Sequence, residues 1–134
     1  MRDQTIVREV GPRDGLQLVR TMMDTETKLA WICAQAAAGF SEIEVTSFVP
    51  PSVLPQFSDA HDVMQRALSV PGLTPSALVP NLKGALNALE AGARKITFVL
   101  SASEAHNRSN VRQATEASVA MFKTLATEMA GHPG

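Results

Sequence analysis

The chain is 134 residues long and 45% hydrophobic, with 12 basic and 13 acidic side chains for a formal net charge of −1. That length limits it to one compact domain, and that apolar content excludes an intrinsically disordered chain. With no basic stripe, nucleic acid is not an expected partner, and no apolar run approaches the ~20 residues needed to cross a bilayer.

Aromatic residues make up 4% and tyrosine is absent, so Ala, Leu, Val and Met must fill the core. The one cysteine, Cys33, rules out an internal disulfide framework and fits a reducing compartment. The chain runs from Met1 straight into a strand-like segment with no secretory leader, so a cytoplasmic location is expected.

The first strand is read at Thr5–Val10. Helix one follows at Thr25–Ala38, capped by Asp24 and stopped by Gly39, with an apolar stripe of Leu29, Ile32, Cys33 and Ala36. Strand two, Glu42–Phe48, ends at Val49-Pro50-Pro51-Ser52. Helix two spans Ser58–Leu68, with Val63, Met64, Ala67 and Leu68 on one side, and Pro71-Gly72 closes that unit. Strand three is Pro75–Val79. Helix three follows Pro80-Asn81, with Leu82, Leu86 and Leu89 spaced for one face and Gly92 as its stop. Strand four, Lys95–Leu100, leads into a long polar loop, Ser101–Asn110. Helix four, Thr115–Ala130, should turn Val119, Phe122 and Met129 inward.

Strict strand–helix alternation implies a parallel α/β sheet with right-handed crossovers. The helix-Gly-strand rhythm at Ala38-Gly39-Phe40 and Ala91-Gly92-Ala93 fits a (β/α) barrel or an open sheet. A complete barrel needs about 250 residues, so four units make a small open sheet or half of a TIM-type barrel. The half-barrel is the expected fold, with residues 1–134 as the N-terminal portion of a (β/α)8 domain. Such a half should expose two strand edges and an apolar lumen face, and so self-associate or pair with a C-terminal half.

Two places carry the chemistry. Gly11-Pro12-Arg13-Asp14-Gly15 fixes a tight exit from strand one, where (β/α) enzymes keep their reactive groups. Asp14 can ligate a hard cation, and Arg13 can steady an oxyanion beside it. The alternative is a surface turn with a weak local ion pair. On strand two, Ile43 and Val45 should meet the helices, which turns Glu44 and Thr46 toward the barrel interior. A buried Glu44 needs an opposite charge, and Arg13 is the natural partner. The alternative is a solvated edge-strand residue. None of His61, His106 and His132 pairs at ligand spacing, and Cys33 reads as a small core residue.

Arg8-Glu9-Val10-Gly11-Pro12-Arg13-Asp14-Gly15-Leu16-Gln17 closely resembles the first motif of the 3-hydroxy-3-methylglutaryl-CoA lyases. Ile43-Glu44-Val45-Thr46-Ser47-Phe48-Val49 with Pro51 and Pro55-Gln56 resembles their second strand and its exit. Pro80-Asn81-Leu82-Lys83-Gly84 and Ala102-Ser103-Glu104 match further positions, so the resemblance covers nearly the whole chain. It implies a (β/α) barrel that cleaves 3-hydroxy-3-methylglutaryl-CoA to acetyl-CoA and acetoacetate with the help of Mg²⁺ or Mn²⁺. It implies Asp14 as a metal ligand, Arg13 as the group that stabilises the enolate oxygen, and Glu44 as the residue that orients Arg13. Gln17, Thr46, Ser47 and Ser103 are candidates for contacting an acyl-CoA substrate. The family's remaining metal ligands, two histidines and an asparagine, and its loop cysteine have no counterpart in this sequence. By itself the chain is therefore expected to be inactive. Two other readings stand beside the lyase: a non-catalytic half-barrel assembly module, and a related acyl-CoA-dependent synthase.

Overall fold

A computed structural model describes residues 5–132; the opening Met1–Gln4, read above for a leader, lies outside them. The strands are β1 (Arg8–Glu9), β2 (Glu42–Ser47), β3 (Thr74–Val79) and β4 (Lys95–Phe98). They form one parallel sheet in the order β1-β2-β3-β4. The helices are α1 (Thr25–Ala37), α2 (Ala60–Ala67), α3 (Leu82–Glu90), α4 (Glu104–Val111) and α5 (Thr115–Ala130). Among the described residues, no helix is long and apolar enough to cross a membrane.

One apolar layer joins sheet and helices. Ile43 and Val45 of β2 and Ala77 and Val79 of β3 pack with Ile32 of α1, Val63 and Met64 of α2, Ala85 and Ala88 of α3, and Leu125 of α5. Because period-2 alternation sends these strand residues to the helices, their neighbours face the other way. That other face is polar. It carries Glu42, Glu44, Ser76, Lys95 and Thr97, with Arg8 at the β1 edge. The lumen face expected to be apolar is thus mainly polar: ion pairs line it, with Leu78 beside Thr97 as an apolar member. Exposed apolar groups sit elsewhere, at Ile6, Val7 and Val10 beside β1 and at Leu100 after β4.

Several boundaries and faces differ from the sequence reading. The β1 ladder is two residues long, not six, because an edge strand has a single neighbour to pair with. Asp24 caps α1 as expected, accepting from the Thr27 amide at 2.8 Å. Its buried side is Lys28, Leu29 and Ile32, which leaves Cys33 exposed and not in the core. Helix three turns its small residues Gly84, Ala85 and Ala88 to the sheet, and Leu86 is 42% exposed. The leucine spacing indicated this face only in part: Leu82 packs against the core but Leu86 does not, since a helix lying close on a sheet needs small residues at the contact. In α5, Ser118 and Leu125 are buried, whereas Val119 and Phe122 are exposed.

The segment expected as a loop after β4 contains α4. Its surface is polar all round, so it lacks an apolar period. It is held instead by a fully buried Asn107. The Asn107 Oδ1 accepts from the Ser101 amide at 2.8 Å, and its Nδ2 donates to Gln113 O at 3.0 Å and Ser118 Oγ at 2.7 Å. Lys28 is a second polar anchor with little sequence signal. Its buried ammonium donates to Gln56 O and Asp59 Oδ1, both at 2.6 Å, and pins the β2 exit to α1.

The orientation of α3 yields a direct test. Ala88→Leu should overpack the sheet and cost about 1–3 kcal/mol in urea denaturation, while Leu86→Ala should stay within about 0.5 kcal/mol of the parent. Equal losses would mean that the leucines face the sheet after all.

Candidate active site

The segment after β1 does not run on as an irregular loop. Gly11–Gly15 closes into a single wide helical turn, in which the amides of Arg13 and Asp14 both donate to Val10 O, at 3.1 and 2.7 Å. Pro12 begins the turn, where its missing N–H costs nothing, and is buried. The Glu9 carboxylate accepts from the Val10 and Gly11 amides at 2.9 and 2.6 Å. A Cβ at position 11 would lie 2.9 Å from that carboxylate and 3.0 Å from the Trp31 ring, so the close approach requires glycine. The turn is thus braced from β1 and α1, and it delivers Arg13 over the end of the sheet.

Arg13 is the hub. Its Nε donates to Glu44 Oε1, and its Nη1 donates to Asp14 Oδ1 at 3.1 Å and Gln17 Oε1 at 3.2 Å. Among the described residues, no hydrogen bond engages Nη2. The Arg13 side chain is 13% exposed, Glu44 is 2% exposed and Asp14 is 59% exposed. One guanidinium therefore ties a buried carboxylate to an open one.

The second Glu44 oxygen, Oε2, accepts from Thr97 Oγ1 at 2.6 Å. Thr97 lies on β4, two strands from β2. Register pairs Glu44 with Ser76 of β3 and Thr97 with Leu78, so the contact runs diagonally across β3 past the short Ser76 side chain. The same crossing occurs one level lower. There Glu42 accepts from Arg8 Nε at 3.1 Å and from Lys95 Nζ at 2.6 Å. The Lys95 hydrogen bond is the main cause holding the Glu42 carboxyl below its ordinary value; burial opposes it, and the weaker Arg8 hydrogen bond adds to the lowering. Thr97, Ser76 and this lower layer were not picked out from the sequence. The signal was the alternation Lys95-Ile96-Thr97-Phe98, polar residues on one face of β4.

The remaining candidates divide. Gln17 is drawn onto Arg13. Thr46 is buried, and its Oγ1 has no hydrogen-bond partner among the described residues. A register shift between Glu44 and Thr46 sets Thr46 opposite Ala77 of the helix-side layer and Ser47 opposite Leu78. Ser47 is fully buried and accepts from the Val49 amide at 3.3 Å. Beside it a cavity of about 370 Å³ opens between the β2 exit, α2 and α3, lined by Phe48, Phe57, His61, Asn81 and Lys83 among others. Ser103 caps α4, accepting from the His106 amide at 3.3 Å, and makes no hydrogen bond to the Arg13 group.

A divalent cation finds few donors here. Both Glu44 oxygens are engaged, one Asp14 oxygen is shared with Arg13, and no group of three His, Cys, Asp or Glu side chains with metal-site spacing occurs among the described residues. Asp14 is a hard oxygen donor of the right type, but by itself it does not make a site for Mg²⁺ or Mn²⁺, which need several ligands.

Comparison with known proteins gives a consistent result. A family model described as HMGL-like matches residues 4–131. The hydroxymethylglutaryl-CoA lyase of Bacillus subtilis is 44% identical over 119 residues, covering 89% of this chain and 40% of its own length. The structure of an HMG-CoA lyase from Acinetobacter baumannii in complex with coenzyme A and 3-methylmalate superposes with a TM-score of 0.85 at 40% identity, over 94% of this chain and 41% of that one. The hydroxymethylglutaryl-CoA lyase structure from Pseudomonas aeruginosa gives 0.88 at 35% identity, over 95% and 42%. The chain thus spans about 40% of the length of these three proteins.

The lower layer makes a pH-dependent prediction. The Glu42 carboxyl is depressed in the folded state, so its stabilisation is full above the ordinary value of 4.5 and fades as pH falls through the lower folded value. Glu42→Gln should therefore lower the urea midpoint at pH 7, and the gap from the parent should close toward pH 3. A gap that persists unchanged into acid would show that Glu42 contributes by packing and not by charge.

Proposed function

The chain belongs to the HMGL-like family, and from that premise we propose that it carries the Arg13 portion of a lyase site that cleaves 3-hydroxy-3-methylglutaryl-CoA to acetyl-CoA and acetoacetate. The observation that carries this reading is the anchored Arg13 with Nη2 unengaged. In this retro-aldol-type cleavage a base takes the C3 hydroxyl proton, the C3 ketone of acetoacetate forms as the C2–C3 bond breaks, its electron pair passes into the thioester as an enolate, and protonation at C2 then gives acetyl-CoA. Negative charge grows on the thioester oxygen, and a guanidinium already fixed beside it lowers the barrier without reorganising. Glu44 keeps Arg13 aimed. Gln17 holds the Nη1 edge, and its amide nitrogen remains for the acyl-CoA; Ser47 at the β2 exit and Ser103 are outlying candidates, and Thr46, expected to face the interior, is instead buried toward the helix-side layer and is the weakest of them.

Asp14 would give one oxygen to a Mg²⁺ or Mn²⁺ ion whose other protein ligands come from outside this chain. Such an ion supplies further charge neutralisation at the substrate oxygens. The acyl-CoA substrate and a complementary barrel segment are the proposed partners, with self-association through the β1 and β4 edges as the route open to the chain alone. A cytoplasmic setting suits the exposed thiol of Cys33. A second reading, a non-catalytic assembly module, is favoured by one observation: no group of three potential metal ligands occurs among the described residues.

The experiment mixes this chain with the segment of the Bacillus subtilis relative that it does not cover. Acetoacetate release from 3-hydroxy-3-methylglutaryl-CoA is then followed with Mn²⁺ present. Turnover is expected from the mixture and not from the chain alone. Arg13→Gln should cut kcat by about 10²–10³ or more with little change in KM, because its charge matters most as the enolate forms. Wild-type turnover in that variant would remove Arg13 from the mechanism, and an inert mixture would favour the assembly module.

In calorimetric titration, the chain alone should bind Mn²⁺ weakly if at all, and Asp14→Asn should abolish what remains. Tight, stoichiometric binding lost in that variant would mean that the chain builds a full cation site.

A further inference from the structure

The Thr97–Glu44 hydrogen bond spans a strand, and the proposed chemistry does not by itself require it. An arginine and a carboxylate pair most strongly as two parallel forks, with Nε and Nη2 of one edge each donating to one carboxylate oxygen. Here that arrangement does not form. Glu44 gives Oε1 to Arg13 Nε, while Oε2 turns to Thr97 Oγ1 at 2.6 Å. The Nη1 edge is already taken by Asp14 and Gln17. Nη2 is therefore the one nitrogen left for an incoming oxygen, and the second Glu44 oxygen is the group best placed to consume it.

We propose that Thr97 is a positioning residue that acts through Glu44: by holding Oε2 it keeps the carboxylate from closing on both Nε and Nη2, and so reserves Nη2 of Arg13 for the thioester oxygen of the substrate. The inference rests on the reading of Arg13 given above. The fold prepares for it in two ways. Ser76, paired with Glu44, is short and leaves a diagonal path to Thr97 beside Leu78, with which Thr97 pairs. Lys95, two residues earlier on the same face, binds Glu42, which occupies the level below and keeps Lys95 away from Glu44. Thr97 supplies a single hydroxyl proton, enough to hold one oxygen without adding a competing charge.

The test uses this chain and requires no turnover. Arginine-selective ¹⁵N NMR follows hydrogen exchange at the Arg13 guanidinium in the parent, Thr97→Val and Thr97→Ser. Valine keeps the shape of threonine and removes the donor, so the backbone amide fingerprint should be preserved. Exchange at Nη2 should slow about tenfold or more in Thr97→Val as Glu44 closes on it, and return to the parent rate in Thr97→Ser. Should the valine variant fail to fold, Thr97→Ala takes its place with the same expectation. An Nη2 exchange rate that does not depend on residue 97, in a folded variant, overturns the inference while leaving the lyase assay untouched. Conversely, Thr97 dependence together with an inert reconstituted mixture supports the positioning role and sinks the functional reading alone.

Discussion

A carboxylate that is 2% exposed in the middle of a sheet sets most of what surrounds it. Taking Glu44 out of water costs several kcal/mol, which the structure must offset with an opposite charge and with hydrogen bonds to both oxygens. The charge comes from Arg13 and the second hydrogen bond from Thr97. Each demand reaches further into the fold. Arg13 arrives at the right height only if the chain after β1 coils into a tight turn, which needs Pro12 at its start and Gly11 against Trp31. Thr97 is reached diagonally across β3, past the short Ser76 that pairs with Glu44 and beside Leu78 that pairs with Thr97. One buried charge thus links β1, β2, β3 and β4 across the inner face.

The element order was legible because helix period, caps and glycine stops agree in this chain. Asp24 does cap α1, and the glycine stops Gly39 and Gly92 both take positive φ, 105° and 89°. The Arg13–Glu44 meeting was legible too, since strand alternation and the cost of an unpaired buried charge point to the same contact. What failed did so for identifiable reasons. Leucine spacing misplaced Leu86, though not Leu82, because close helix–sheet contact selects Gly84, Ala85 and Ala88. Helix α4 carries no apolar period, and its fixing residue, Asn107, works through three hydrogen bonds to partners six to eleven positions away. Thr97 lies 53 positions from Glu44, and nothing local to either residue signals their contact.

The inner face is more polar than its strand sequences imply. Glu42 alone would be a liability there, but Arg8 and Lys95 close on it from opposite sides. The layer then holds two cations and one carboxylate, with both cations about one-third exposed. Such a face can meet water without collapsing onto another copy, which an apolar lumen could not. The sticky features of this chain are instead the edge of β1, with Ile6 and Val7 exposed at 61% and 65%, and the outer side of α5, where Phe122 rests half-exposed against Phe98.

Two carboxylates share Arg13 under opposite conditions. Glu44 is sealed, with both oxygens committed, whereas Asp14 is 59% exposed and gives only Oδ1 to Nη1, at 3.1 Å. An exposed ion pair of this kind is worth little, on the order of 0–1 kcal/mol, and exchanges readily. The sealed pair does not exchange at comparable cost, because parting it leaves a buried charge uncompensated. If Asp14 turns to another partner, Arg13 therefore keeps its direction through Nε on Glu44 and Nη1 on Gln17. The orientation of the guanidinium is a property of this chain alone, and it is decoupled from whatever Asp14 binds.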